Sequence, residues 1–165
     1  MTGVSLSRWT MSYFAAALVA LLAAEVLMAL GFGFPNAPVE APATLVLVHL
    51  VALGWLSLLL CGALFQFVPV LVAKPLHDNR LPFATLCCLL AGLALLLCGF
   101  LQLDGTLGGD WQLLPVGGSL LALGLTLTLY NLGRTLWAGR PLPLPARFVV
   151  AGLCSIAATA GFGLV

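Results

Sequence analysis

Two side chains place chemistry where the surrounding sequence is apolar: the imidazole of His49 and the carboxyl of Glu25. His49 opens an uncharged run that ends at a proline, His49-Leu-Val-Ala-Leu-Gly-Trp-Leu-Ser-Leu-Leu-Leu-Cys-Gly-Ala-Leu-Phe-Gln-Phe-Val-Pro69. An imidazole placed in a membrane without a partner is expensive, so it is a functional-site candidate by default. Three chemistries fit it. The ring can sit at the interface with its polar tip in water. It can hydrogen-bond a neighbouring helix. Or one ring nitrogen can ligate a metal or haem iron while the other is oriented by an acceptor. Glu25 lies in the middle of the first apolar stretch. There it is either part of a proton or ion path or a carboxyl hydrogen-bonded to a neighbouring helix.

The remaining polar and sulfur groups point less clearly to chemistry. His77 stands beside Asp78, Asn79 and Arg80 and reads as a solvated loop residue. All five cysteines (Cys61, Cys87, Cys88, Cys98 and Cys154) lie in apolar runs, which argues against a secreted disulfide framework. They read as small buried hydrophobes. Cys87 and Cys88 are adjacent and project to different faces of a helix, so they do not share a metal.

At 3.6 residues per turn, His49, Leu53, Leu56, Leu60 and Phe67 fall near one face, an apolar wall below the imidazole. Gly54, Ser57 and Cys61 form a second stripe of small residues that lets another helix come close. Gln66 faces away from His49. Pro69 is expected to bend or loosen the end of this helix.

The elements that must carry these groups follow from composition. Of 165 residues, 62% are hydrophobic and 7% charged, and mean hydropathy is +1.19. A soluble domain carries about 25% charged residues. The chain therefore predicts an all-α, polytopic membrane helix bundle whose first partner is the lipid bilayer. A net charge of +1 provides no footprint for nucleic acid. Five stretches reach the roughly 20 apolar residues a span needs, at about 11–34, 43–73, 81–103, 111–132 and 147–165. Turn formers separate them: Pro35 to Pro38, Lys74-Pro75, Asp104-Gly105 and Pro141 to Pro145.

With five spans, all six basic residues (Arg8, Lys74, Arg80, Arg134, Arg140 and Arg147) fall on one side. The opposite loops hold Glu40, Asp104 and Asp110. The positive-inside rule then puts the N-terminus in the cytoplasm and His49 near the outer face. The first stretch is too long for a signal-peptide core and contains Glu25, so it reads as a retained helix. Thr126, Thr128, Tyr130 and Asn131 make the inner end of the fourth span polar, suited to bonds between helices. Trp9, Trp111 and Trp137 lie near the predicted boundaries, as in an aromatic belt. Five spans and a last span that reaches Val165 with no polar tail lead to the expectation that the chain continues, or is one half of a larger design.

The run His49-Leu-Val-Ala-Leu-Gly54-Trp55, followed by Gly62-Ala-Leu-Phe-Gln-Phe-Val-Pro69 and then Leu81-Pro82, resembles helix II of haem–copper oxidase subunit I. The likeness extends over about residues 45–103. It is nearest to short or divergent members of that family, including those grouped with nitric-oxide-response haem membrane proteins. The resemblance implies an outer axial histidine for a haem b, carried over to His49, and a role in respiratory electron transfer or O2/NO handling in a bacterial inner membrane. It implies no copper site here, because the family's further histidines have no counterparts. The chain is therefore not expected to act as an oxidase on its own. A second axial ligand would come from further sequence, a partner, or a second copy, in a homo-oligomer or larger membrane complex. The alternative is a transport, assembly or structural subunit with no cofactor.

Overall fold

The computed structural model describes residues 8–109 and 111–162. Among them every regular element is helical: α1 (Arg8–Ala29), α2 (Pro42–His49), a π-helical segment (Leu50–Ser57), α3 (Leu58–Leu71), α4 (Leu81–Leu103), α5 (Leu113–Ala138) and α6 (Leu144–Phe162). The π segment joins α2 to α3 without a break, so Pro42–Leu71 is one span. With α1, α4, α5 and α6 it makes five helices long and apolar enough to cross a bilayer. In hydrocarbon every backbone N–H and C=O must be satisfied inside the protein, and the helix meets that demand within one segment. The chain is an integral membrane protein of the helix-bundle class.

The span ends depart from expectation most in two places. The first span stops at Ala29, five residues before Phe34. Gly31, at φ +79°, takes the left-handed position just past the helix. Its N–H donates to the Met28 carbonyl and the Phe32 N–H to the Leu27 carbonyl, a Schellman closure. Glu25 therefore lies one turn from the end of α1 instead of in the middle of the span. The fourth span runs six residues beyond Leu132, to Ala138. Its polar inner end is not a boundary, because Asn131 and Thr135 are buried and bonded. The third span matches the expected bounds, and the second differs by at most two residues. The fifth begins three residues early, at Leu144. The end expected for it, Gly163 to Val165, lies outside the described residues, as does Asp110.

Small residues fix how closely the helices pack. The most extensive contact joins α4 and α5, where glycines face each other. A methyl group on Gly117 would lie 2.7 Å from the Leu96 nitrogen and 2.9 Å from the Gly92 oxygen, so the two backbones touch. Close approach through small residues is the usual way membrane helices gain van der Waals contact. On the other side α1 presents Tyr13, Ala17, Ala20 and Ala24, all buried and spaced three or four apart. These pack on the second span, where Gly54 meets Ala20 and Leu93, and Gly62 meets Tyr13 and Phe14. The stripe of Gly54 and Cys61, with Ser57 half-buried between them, is thus an inward face, as its small residues suggest.

The wall below His49 is not continuous. His49 and Leu53 are half-buried, whereas Leu56, Leu60 and Phe67 are 48–67% exposed. A π turn closes from residue i to i+5 and so takes more residues than an α turn. Eight such residues after His49 break the 3.6-residue register that the wall assumes.

The glycine contact is testable by one methyl group. Gly117→Ala should destabilise the bundle by about 1–3 kcal/mol through overpacking, read as a lower unfolding midpoint in mixed micelles. Gly118→Ala, whose added carbon meets nothing within 4 Å, should leave the midpoint unchanged.

Candidate functional site

His49 is the last residue of α2 and lies seven residues below its start at Pro42, roughly 10 Å down the helix axis. Its Nδ1 is 2.8 Å from the Leu45 carbonyl oxygen, one turn back. A carbonyl can only accept, so Nδ1 carries the proton and donates. In the neutral ring the proton-free nitrogen is then Nε2, with its lone pair available. Among the described residues nothing hydrogen-bonds that nitrogen. The ring is half-buried and rests on Phe100, near the end of α4, with centroids 4.8 Å apart and planes at 44°. Two contacts thus fix the imidazole, one to its own helix and one to a neighbour. The π segment begins at the very next residue. π turns occur mostly as single-turn bulges, often at functional sites, so eight residues is a long example.

Among the described residues no three His, Cys, Asp or Glu side chains come together. That leaves the chemistry of a single ligand. A porphyrin supplies its own four in-plane nitrogens and needs only an axial donor from the protein. Nδ1–H donation to a backbone carbonyl is the arrangement that orients a ligating histidine and raises its basicity. His49 thus presents one anchored nitrogen and one nitrogen without a hydrogen-bond partner among the described residues, the donor set of a single ligand.

Glu25 does not join this site. It is exposed on the outward face of α1, close to Leu22 and Val26, and no described residue hydrogen-bonds it. It lies one turn from the helix end.

At the opposite end of the bundle a second polar constellation forms. Asn131, fully buried on α5, clamps the backbone of Asp78. The Asp78 N–H donates to Asn131 Oδ1 at 3.0 Å, and Asn131 Nδ2 donates to the Asp78 carbonyl at 2.9 Å. The Thr135 hydroxyl accepts the His77 N–H at 3.0 Å and donates to the Asn131 carbonyl at 2.8 Å. His77 itself is exposed and stands edge-on to Tyr130 with centroids 5.5 Å apart. The loop from Val72 to Arg80 is therefore pinned to α5 through its main chain. Sequence alone marked the polar end of α5 as a helix-bonding surface. The loop as its partner was not visible, because the pairing spans 53 residues. Elsewhere Gln66 is engaged by the Thr10 hydroxyl of α1 at 3.3 Å. Cys61 is buried in the core, whereas Cys87 and Cys154 are exposed.

Comparison with protein-family models, with curated proteins and with solved structures gives no match to this chain.

The clamp predicts a specific loss. Asn131→Leu keeps the branched outline of the side chain but leaves the Asp78 N–H and C=O without partners, at a cost of about 1–3 kcal/mol. Hydrogen exchange should show Asp78 and His77 amides losing protection while amides in the middle of α4 keep theirs.

Proposed function

We propose that this chain is a haem-binding membrane protein in which His49 supplies one axial ligand through Nε2, with a role in respiratory electron transfer or O2/NO handling in a bacterial inner membrane. The observation that carries this reading is the fixed imidazole. Its Nδ1–H is held by the Leu45 carbonyl and its Nε2 is left without a hydrogen-bond partner among the described residues. The likeness of His49 to Pro69 to an oxidase helix supports it independently. Bound haem supplies a one-electron iron couple and, where its sixth position is open, a site for a diatomic gas.

The chain's own residues do the positioning. The Leu45 carbonyl sets the tautomer and the ring plane. Phe100 packs against one side of the ring. Leu53, half-buried a turn below, keeps that side apolar. Exposed Leu56 and Leu60 lie further down the same span, available to a flat apolar group or to lipid. A second protein ligand, where the iron takes one, would come from a second copy or a partner.

One observation favours the alternative of a transport, assembly or structural subunit. α6 buries only Ala146 and Leu153, so most of its surface is free to pack on other helices.

A reduced-minus-oxidised spectrum of protein purified from haem-supplemented cells separates the two readings. Haem b bands are expected in the wild type, with His49→Ala lowering haem content at least about tenfold, and Glu25→Gln leaving it unchanged. A wild type without bands that co-purifies with a stoichiometric partner speaks for the subunit reading.

A further inference from the structure

The basic end of the bundle carries a second site, unrelated to His49. Between α5 and α6 lies a groove of about 310 Å3. Its walls are Leu129, Gly133 and Leu136 from α5 and Val150, Leu153 and Ala157 from α6. Trp137 and Arg140 close its mouth. Leu129 lies nine residues from the end of α5 at Ala138, so the groove rises roughly 13 Å along the helix. That is about the depth of one leaflet, half of a hydrocarbon core of about 30 Å.

Among the residues that line the groove, Arg140 carries the charge, and it is positive. Arg134, Arg140 and Arg147 fall within fourteen residues, and no Asp or Glu lies between them. The Arg140 guanidinium lies over the Trp137 ring at 3.6 Å from its centroid. Stacking uses the face of the guanidinium and leaves its N–H edge free for two parallel bonds to an oxyanion. Arg147 is exposed and precedes Val150, Cys154 and Ala157 at helical spacing, so it stands on the groove side of α6. This end is the cytoplasmic one by the positive-inside rule, and the inner leaflet is where anionic lipids concentrate.

We propose that the α5–α6 groove binds one anionic phospholipid of the inner leaflet, its phosphate on Arg140 and an acyl chain along the apolar walls. Charge complementarity and one-leaflet depth favour a lipid over a helix of a second copy, which would bring no phosphate to the arginines. Trp137 then sits at the headgroup level, where an amphipathic ring belongs.

Native mass spectrometry of the full chain tests this with added phosphatidylglycerol and phosphatidylcholine of identical chains. The wild type should retain phosphatidylglycerol preferentially, and Arg140→Gln should lower that preference about fivefold. Arg80→Gln removes a charge from the same end but outside the groove, and should change nothing. Gly133→Leu keeps every charge and fills the groove. A side chain there starts in open space, with nothing within 4 Å of its first carbon, and retained phosphatidylglycerol should fall. Equal effects of Arg140→Gln and Arg80→Gln would reduce the site to diffuse surface charge and overturn the proposal. So would wild-type lipid retention in Gly133→Leu. A dimer lost in Gly133→Leu with lipid retention intact would make a second copy the occupant.

Discussion

Inside a bilayer no water is available to rescue a stranded polar group, so each one must be satisfied by the protein itself. In this chain one device recurs: a side chain bonds to a main-chain carbonyl about one turn back. Ser119, Thr126, Thr128, Thr135 and Thr159 all donate to the carbonyl four residues earlier. Ser57, inside the π segment, donates to the carbonyl of Ala52, five residues earlier, as the wider turn requires. His49 uses the same device through Nδ1. The difference is what remains. A hydroxyl spends its only proton on such a bond. An imidazole spends its only proton and still holds a bare nitrogen on the far side of a rigid ring.

That rigidity comes from the packing around it. α4 and α5 approach through facing glycines until their backbones touch, and Phe100 on α4 is carried against the imidazole. α1 packs its alanine face on the other side of the second span, at Gly54 within the π segment. At the opposite end Asn131 and Thr135 pin the inner loop by its main chain, which fixes where α3 ends and α4 begins. The inner end of the bundle is therefore held by hydrogen bonds and its middle by close packing. α6, with two buried residues, is the least covered helix.

Much of this was legible in the sequence, for physical reasons. Hydropathy counts the spans because a bilayer sets a length. The bounds of α4 followed from the same count, and the inward stripe of Gly54 and Cys61 from small residues at helical spacing. The end of α1 was obscured by Phe32 and Phe34, which prolong the apolar stretch past Gly31, where the helix closes. Glu25 was misplaced in depth as a result. The π segment was not visible in the sequence: Gly54 and Ser57 within it read as small packing residues, and its wider turn re-aims everything after His49. The Asn131–Asp78 clamp was hidden because each half looks ordinary alone, and only the fold brings them together.

The state of His49 is the most direct test, followed by 15N resonances of the imidazole in protein reconstituted into bilayers, with His77→Gln removing the second histidine's signals. Zinc protoporphyrin, diamagnetic and content with one axial nitrogen, stands in for haem. A protonated Nδ1 and a bare Nε2 are expected before the porphyrin is added, with Nε2 then shifting at one equivalent while Nδ1 stays protonated. A proton on Nε2 at the start, or an Nε2 resonance that does not respond to the porphyrin, would contradict the assignment of His49 as an axial ligand.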